Sequence, residues 1–551
     1  MAADCRQHPA STINATGGIT VWRVLIGVSL GLLGLPVLAV LASWLWLDAQ
    51  LLGVWRDLAQ TVLLSYSLAT AGLALGVVVG VLVVGGTTAL LVVYFDFPLR
   101  GLLAWALVLP MALPAYVTAY AYTDWLQYSG PLQVALRQAM GWEGALWPEI
   151  RSLPGAVLVF VLALYPYVYV LGRGAMADRA AALLEAAQTL GASLGQRLWR
   201  VALPLARPAL LAGAALALME TLADYGVVSY FGVPTYTAGI YKAWLSWDEP
   251  AAAAQLATLL LVVVVLVWLA ERRAQGRMRF AQSKGGQREP AARVRLRGWA
   301  AAAACAVCVL PVLLGFVLPV LGMLVRLLQT PDEVGVPWAR FAQWTWNSLR
   351  LGLMTAVLAV AAALWLGFEQ RLRPTSWVNW VGHGLGLGYA IPGAVVVVGL
   401  LAPVLALQTV WPTNPMAALI TGSVFGLIWA YLVRFVAVAM QSVQSGYTQL
   451  PTTLDDSART LGRGGWQLWR HVHWPLLRRP MAAAGLLVAV DVMKELPATL
   501  VLRPFNSDTL AVVTYQLARD ERLGEAALPA LMLVAIGLLP IVWLSSRLNE
   551  R

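Results

Sequence analysis

The chain has 551 residues, 60% of them hydrophobic and only 12% charged, and its mean hydropathy is +0.72. Soluble globular chains run at roughly 45–50% apolar and about 25% charged residues, so the composition indicates a polytopic membrane protein rather than a soluble enzyme. The net charge of +11 does not point to nucleic acid, because the basic residues sit in short loops between apolar runs, the distribution of cytoplasmic loops.

Apolar runs long enough to cross a bilayer occupy residues 21–47, 61–95, 102–125, 153–171, 208–231 and 251–270. Six more occupy 299–328, 347–368, 377–407, 416–440, 481–502 and 526–544. The expected fold is all-α, with about twelve transmembrane helices in two parallel six-helix repeats. A polar tail, residues 1–20, precedes the first run and holds Cys5 and an Asn14-Ala15-Thr16 sequon, which has no meaning on a cytoplasmic segment. The first run is too long for a signal-peptide core and reads as a span. The run 61–95 is long for one helix and short for two, and a break at Gly85-Gly86 would invert everything after it.

Charge decides for a single span. Residues 173–207 then lie in the cytoplasm with five arginines, and residues 271–298 with nine Lys or Arg against two Glu. The loops left outside carry Trp142, Glu143, Trp147 and Glu149, and Asp332, Glu333 and Trp338, the acid and interfacial Trp of an outer face. Both termini are expected in the cytoplasm. The connector 271–298 has no apolar period and reads as a basic tether near anionic lipid, dividing a first repeat, 21–270, from a second, 299–551. Ala112-Leu113-Pro114-Ala115 matches Ala390-Ile391-Pro392-Gly393 in the third run of each half. Proline at mid-span marks a broken helix beside a cavity or packed protein.

Residues 185–208, EAAQTLGASLGQRLWRVALPLARP, interrupt the apolar pattern. Ala186, Ala187, Leu190, Leu194, Leu198 and Val201 recur at helical spacing among polar residues, giving an amphipathic helix with a glycine hinge at Gly191 and a close at Leu203-Pro204. Alone, this is equally an ordinary surface helix. A second copy, within 456–480, stands 271 positions later: Asp456, Ala458, Thr460, Leu461, Gly462, Val472 and Trp474-Pro475 fall opposite Glu185, Ala187, Thr189, Leu190, Gly191, Val201 and Leu203-Pro204. Glu185-Ala186-Ala187, Gly191, Val201 and Leu203-Pro204 resemble the cytoplasmic EAA loop of ABC-importer permeases. The second copy departs at Asp456-Ser457-Ala458 and Trp474 but keeps the acid and the glycine. The resemblance implies docking on two copies of a separate ABC ATPase, which would hold ATP and Mg. Its coupling residues would be Glu185, Ala186, Ala187, Gly191 and Pro204, then Asp456, Ala458, Gly462 and Pro475.

Four carboxylates stand in the fifth runs. Glu220 and Asp224 are four apart, as on one helical face, and Asp491 and Glu495 repeat them at the same offset of 271. Counting ~1.5 Å per residue from Arg207 puts Glu220 about 20 Å and Asp224 about 25 Å from the cytoplasmic end. A lone acid at such depth costs on the order of 3 kcal/mol on insertion scales, so it faces a cavity or a partner. Lys494 stands where it can neutralise Glu495 or another acid. Two readings remain open: structural ion pairing between the halves, or a cation pathway lined by Glu220, Asp224, Tyr225, Asp491, Lys494 and Glu495.

The stretches METLADYGVVSYFGVPTYTAGIYKAW (219–244) and DVMKELPATLVLRPFNSDTLAVVTYQLA (491–518) resemble ferric-iron importer permeases, a fused-repeat branch of the same family. ALPAYVTAYAYTDWLQYSGPLQ (112–133) and GYAIPGAVVVVGLL (388–401) point the same way. Thiamine and phosphonate permeases share the fused layout. The resemblance covers nearly the whole chain outside residues 1–20 and the connector. It implies uptake of Fe(III) from a periplasmic binding protein across a bacterial inner membrane, with no cofactor in this chain. Hard oxygen donors, the four acids with Tyr116, Tyr120, Tyr122 and Tyr225, suit a hard trivalent cation, although tyrosine in such helices is also common packing.

No G-x-x-x-x-G-K-[ST] motif, zinc-spaced cluster or hydrolase triad is present, so the chain is not expected to be an enzyme. Cys305 and Cys308 lie inside an apolar helix and read as core residues. His471 and His473, in the second loop, read as surface or partner contacts. The competing mechanism is a proton-coupled carrier using the midplane acids, against which the paired loops count.

Overall fold

The computed structural model describes residues 27, 31–45, 49–179, 181–280, 293–329, 338–372, 385–386, 388–463 and 465–548. Lipid offers backbone N–H and C=O groups no partner, so a chain this apolar crosses a membrane as helices. Nine helices among the described residues are long and apolar enough to do so, or ten if one bent pair is a single span.

The helix Leu63–Tyr94 is unbroken over 32 residues, ~48 Å at 1.5 Å per residue, so residues 61–95 form a single span. Gly85-Gly86 is a packing contact rather than a break. A Cβ at Gly85 would lie 2.7 Å from the Tyr165 carbonyl oxygen, and one at Gly76 or Gly80 would strike Val157 or Val161. Small residues on this face let the helix Leu153–Arg179 approach closely.

Of the first run, residues 27 and 31–45 are described, the latter as the helix Gly31–Leu45. Two of the other expected spans are not plain membrane helices. The third bends by 92° between Arg100–Ala112 and Ala115–Met140. The eleventh, Trp474–Lys494, carries Arg478, Arg479, Asp491 and Lys494 and stops at Glu495 before a short helix, Pro497–Leu502. Of the ninth run, residues 377–384 and 387 lie outside the described residues, and the helix is Gly393–Val410.

The internal repeat is visible element by element. Ala181–Thr189 recurs as Thr452–Thr460, the π-helical turn Leu198–Ala202 as Trp469–His473, and Leu203–Ala223 as Trp474–Lys494. Ala115–Leu126 and Gly393–Val410 each start after an extended proline, Pro114 (ψ 139°) and Pro392 (ψ 141°). The two halves interlock: Tyr122 Oη donates to the Leu314 carbonyl (2.6 Å), and Tyr241 Oη to that of Pro497 (2.7 Å).

The connector is more structured at its ends than a tether. The preceding helix runs on to Phe280, and Val294–Arg295 pairs in parallel with Phe95–Asp96. Residues 281–292 lie outside the described set, as do Asp332 and Glu333. Tyr94 Oη donates to the Met176 carbonyl at 3.3 Å, just before the first amphipathic loop. The end of Leu63–Tyr94, the connector and that loop therefore share one face. Arg151, at the far end of the Leu153–Arg179 helix, belongs to the opposite face.

Candidate functional site

The broken helices of the two halves meet around a cavity of about 170 Å³. In the first half the helix ends at Ala223, and Asp224 turns extended (ψ 134°), its Oδ1 accepting the Val227 N–H at 2.8 Å. That carboxylate thereby caps the next helix, Gly226–Tyr230. In the second half Glu495 (ψ 123°) accepts the N–H groups of Ala498 (2.9 Å) and Thr499 (3.0 Å), capping Pro497–Leu502. Glu220 and Asp224 thus do not share a helical face, because the helix stops between them.

All four acids line the cavity, with Lys494, Arg434, Tyr116, Tyr167 and Tyr389. Their tasks differ. Glu495 is buried and fully engaged: besides the two N–H groups it accepts the Thr499 hydroxyl (2.7 Å) and pairs with Arg434 Nη1 at 2.9 Å. Lys494 makes no ion pair with it: its Nζ donates to the Met111 carbonyl at 3.1 Å, and its charge acts on Asp491 and Glu220 instead. Glu220 accepts the hydroxyl of Tyr389 from the opposite half. Asp491 accepts no hydrogen bond from the described residues. Tyr225 does not line the cavity; its ring packs on Tyr241 (4.1 Å) and Tyr515 (6.0 Å). Tyr389 and Arg434 escaped the sequence reading, although a lone arginine within the apolar run 416–440 was a usable sign of an intramembrane partner.

Each amphipathic loop is a helix stopped by a glycine. Ala181–Thr189 ends with Gly191 at φ +79°, the Ala192 N–H donating to the Ala187 carbonyl (2.9 Å) and the Gly191 N–H to that of Gln188 (3.0 Å). In the second loop Gly462 has φ +74°, with Arg463 N–H to Ala458 and Gly462 N–H to Arg459, both 2.9 Å. These are Schellman stops, so the glycines serve as fixed left-handed caps instead of hinges. The stops hold Leu190 and Leu461 out from the surface, 87% and 80% exposed. Glu185, Ala186 and Asp456 are exposed, Ala187 is half-buried and Ala458 buried. Pro204 and Pro475 sit in the first turns of the helices that lead to the acids.

The second loop is also clamped from below. Asp455 is bonded to Arg371 Nε at 2.7 Å and to His473 Nε2 at 3.0 Å. His473 is fully buried between the rings of Phe368 and Tyr447, so it is not the surface residue expected, whereas His471 is exposed. Burial pushes the Asp455 carboxyl up, but hydrogen bonds and charge from Arg371 and His473 outweigh it and hold the group below the usual range. A carboxylate depressed on folding contributes stability that is present at neutral pH and lost as pH falls through its folded value. Leu184 and Ala202 stand at the equivalent first-loop positions, so the first loop lacks the acid and the imidazole of that clamp.

Duplicated broken helices around a charged chamber, with two matching loops beneath, are the arrangement of a two-repeat transport permease. Residues 81–275 match the family described as binding-protein-dependent transport system inner membrane component. That match covers most of the first repeat, and the second half repeats the same elements, so the chain is similar to that family in a fused two-repeat layout. It is 24% identical over 469 residues to the Fe(3+)-transport system permease protein FbpB 2 of Haemophilus influenzae, covering 84% of this chain and 86% of that one. It is 27% identical over 461 residues to the thiamine transport system permease protein ThiP of Escherichia coli, covering 79% of each. A putative 2-aminoethylphosphonate transport system permease protein, PhnV of Salmonella typhimurium, is 27% identical over 192 residues, 35% of this chain and 69% of its own length.

Proposed function

We propose that this chain is the membrane-spanning subunit of an ATP-driven importer that takes ferric iron from a periplasmic binding protein across a bacterial inner membrane. The observation that carries the cargo is the convergence of four carboxylates from equivalent positions on one small chamber. Organic ligands occupy pockets of roughly 300–1,000 Å³, so a chamber of about 170 Å³ lined by acids and phenols suits a hard cation with a few waters. The similarity to an Fe(3+) permease along most of the chain supports the same cargo.

The drive is assigned to two copies of a separate ATPase, which would carry ATP and Mg. Each copy grips one loop through Glu185, Ala186, Ala187 and Gly191, or Asp456, Ala458 and Gly462, and Pro204 and Pro475 pass the movement to the broken helices. The loop face, with the connector and both termini, is assigned to the cytoplasm from its arginine content. The domain division at residues 271–298 follows from the same duplication.

The test is uptake by the permease reconstituted with its ATPase and binding protein. Radioactive Fe(III) should accumulate, and labelled thiamine and 2-aminoethylphosphonate should not. Accumulation of either organic substrate without iron would overturn the cargo.

A further inference from the structure

The helix Ala115–Leu126 carries a polar stripe that the chamber does not account for. Tyr116, Tyr120 and Asp124 are spaced by four residues and lie on one face. Tyr116 lines the acid chamber. Tyr120 lines a narrow void of about 30 Å³ between the chamber and the outer face. Asp124 lines that void and also a polar cleft of about 380 Å³ bordered by Arg151, Gln329 and Glu521, on the face opposite the loops. The rings follow the same line: Tyr116 to Tyr120 is 5.7 Å, Tyr120 to Tyr230 is 4.6 Å, and Arg151 lies 4.9 Å over Tyr230.

The hydroxyls are what need explaining. Tyr116 and Tyr120 are 3% and 4% exposed, and neither hydroxyl has a hydrogen-bond partner among the described residues. A buried, unsatisfied hydroxyl is destabilising, and phenylalanine would fill the same space without that cost. The repeat does not share the stripe. With Pro392 set on Pro114, the equivalent positions are Ala394, Val398 and Ala402. At the outer end, Arg326 grips Asp124 with two hydrogen bonds of 2.6 and 2.7 Å, closing the junction of cleft and void.

We propose that Tyr116, Tyr120 and Asp124 form a one-sided outer leg of the translocation path, along which a hard cation passes from the outer cleft to the acid chamber. This rests on the ferric-iron reading. The cation replaces Arg326 on Asp124, then passes the two phenol oxygens, which have no partner among the described residues to give up. The second repeat contributes acids to the chamber, Arg326 on Asp124 and Thr514 on the wall of the void, but no phenol-and-acid stripe of its own.

Tyr116→Phe and Tyr120→Phe, singly and together, and Asp124→Asn should be reconstituted with the ATPase and binding protein. Iron uptake and thermal melting are then read on the same preparations. The double phenylalanine variant should lose at least tenfold in uptake rate while melting at or above the wild-type temperature, because only unsatisfied hydroxyls are removed. Asp124→Asn should also be slowed. Phenylalanine and asparagine variants that transport iron at the wild-type rate would overturn the leg and leave the cargo standing. A lower melting temperature in the phenylalanine variants, with Asp124→Asn transporting normally, would overturn it as a packing effect. A wild-type protein that takes up no iron would overturn the cargo, and the leg with it.

Discussion

Replacing Glu220 by glutamine and Asp491 by asparagine together should abolish iron uptake while the protein remains folded. Of the four acids, Asp224 and Glu495 are engaged in capping the short helices that follow them. Glu220 holds only the Tyr389 hydroxyl and Asp491 accepts no hydrogen bond from the described residues, so these two are available to a passing cation. Charge-assisted contacts are worth about 1.5–3 kcal/mol each, so losing two should slow transport by on the order of a hundredfold or more. Lys494 beside them keeps the site weak, as an importer needs if it is to release what it receives. The initial rate of uptake, normalised to folded protein, is the measurement. A double variant that expresses poorly would assign the acids to holding the halves together, and a stable one with wild-type uptake would remove them from the path.

Arg434→Leu should have the largest effect on stability. Arg434 and Glu495 are 8% and 2% exposed at their side chains, and removing one partner of such a buried pair costs about 3–5 kcal/mol because the other charge is stranded. Pairing the change with Glu495→Gln should restore part of the loss, since the amide oxygen can still accept the Ala498 and Thr499 N–H groups. Thermal melting in detergent reads both variants. Equal melting of wild type and Arg434→Leu would mean that the pair contributes nothing.

Much of this architecture was legible as pattern. Apolar runs located most of the helices, and the arginine content of the loops is the ground for the sidedness expected of them. The 271-residue offset, read from Gly191 and Gly462, holds in the structure down to the left-handed φ of both glycines. What the pattern missed depends on chain reversals and on long-range partners. A spacing of four between Glu220 and Asp224 is the same whether the helix continues or stops, although Pro497 soon after Glu495 disfavoured its continuation. Lys494 finds a backbone carbonyl at Met111, which no spacing rule anticipates. His473 is buried because Asp455 and Arg371, on two other elements, meet it there. Tyr389 reaches Glu220 only once the two halves have packed.

An importer worked through its two loops should need ATP on the loop face and no ion gradient. Proteoliposomes holding the permease and its ATPase, with iron-loaded binding protein on the opposite face, separate the two mechanisms. Iron uptake should begin only when ATP is supplied on the face bearing Leu190 and Leu461, and it should continue when an uncoupler collapses the proton gradient. Uptake driven by a proton gradient, in vesicles lacking the ATPase, would contradict the account.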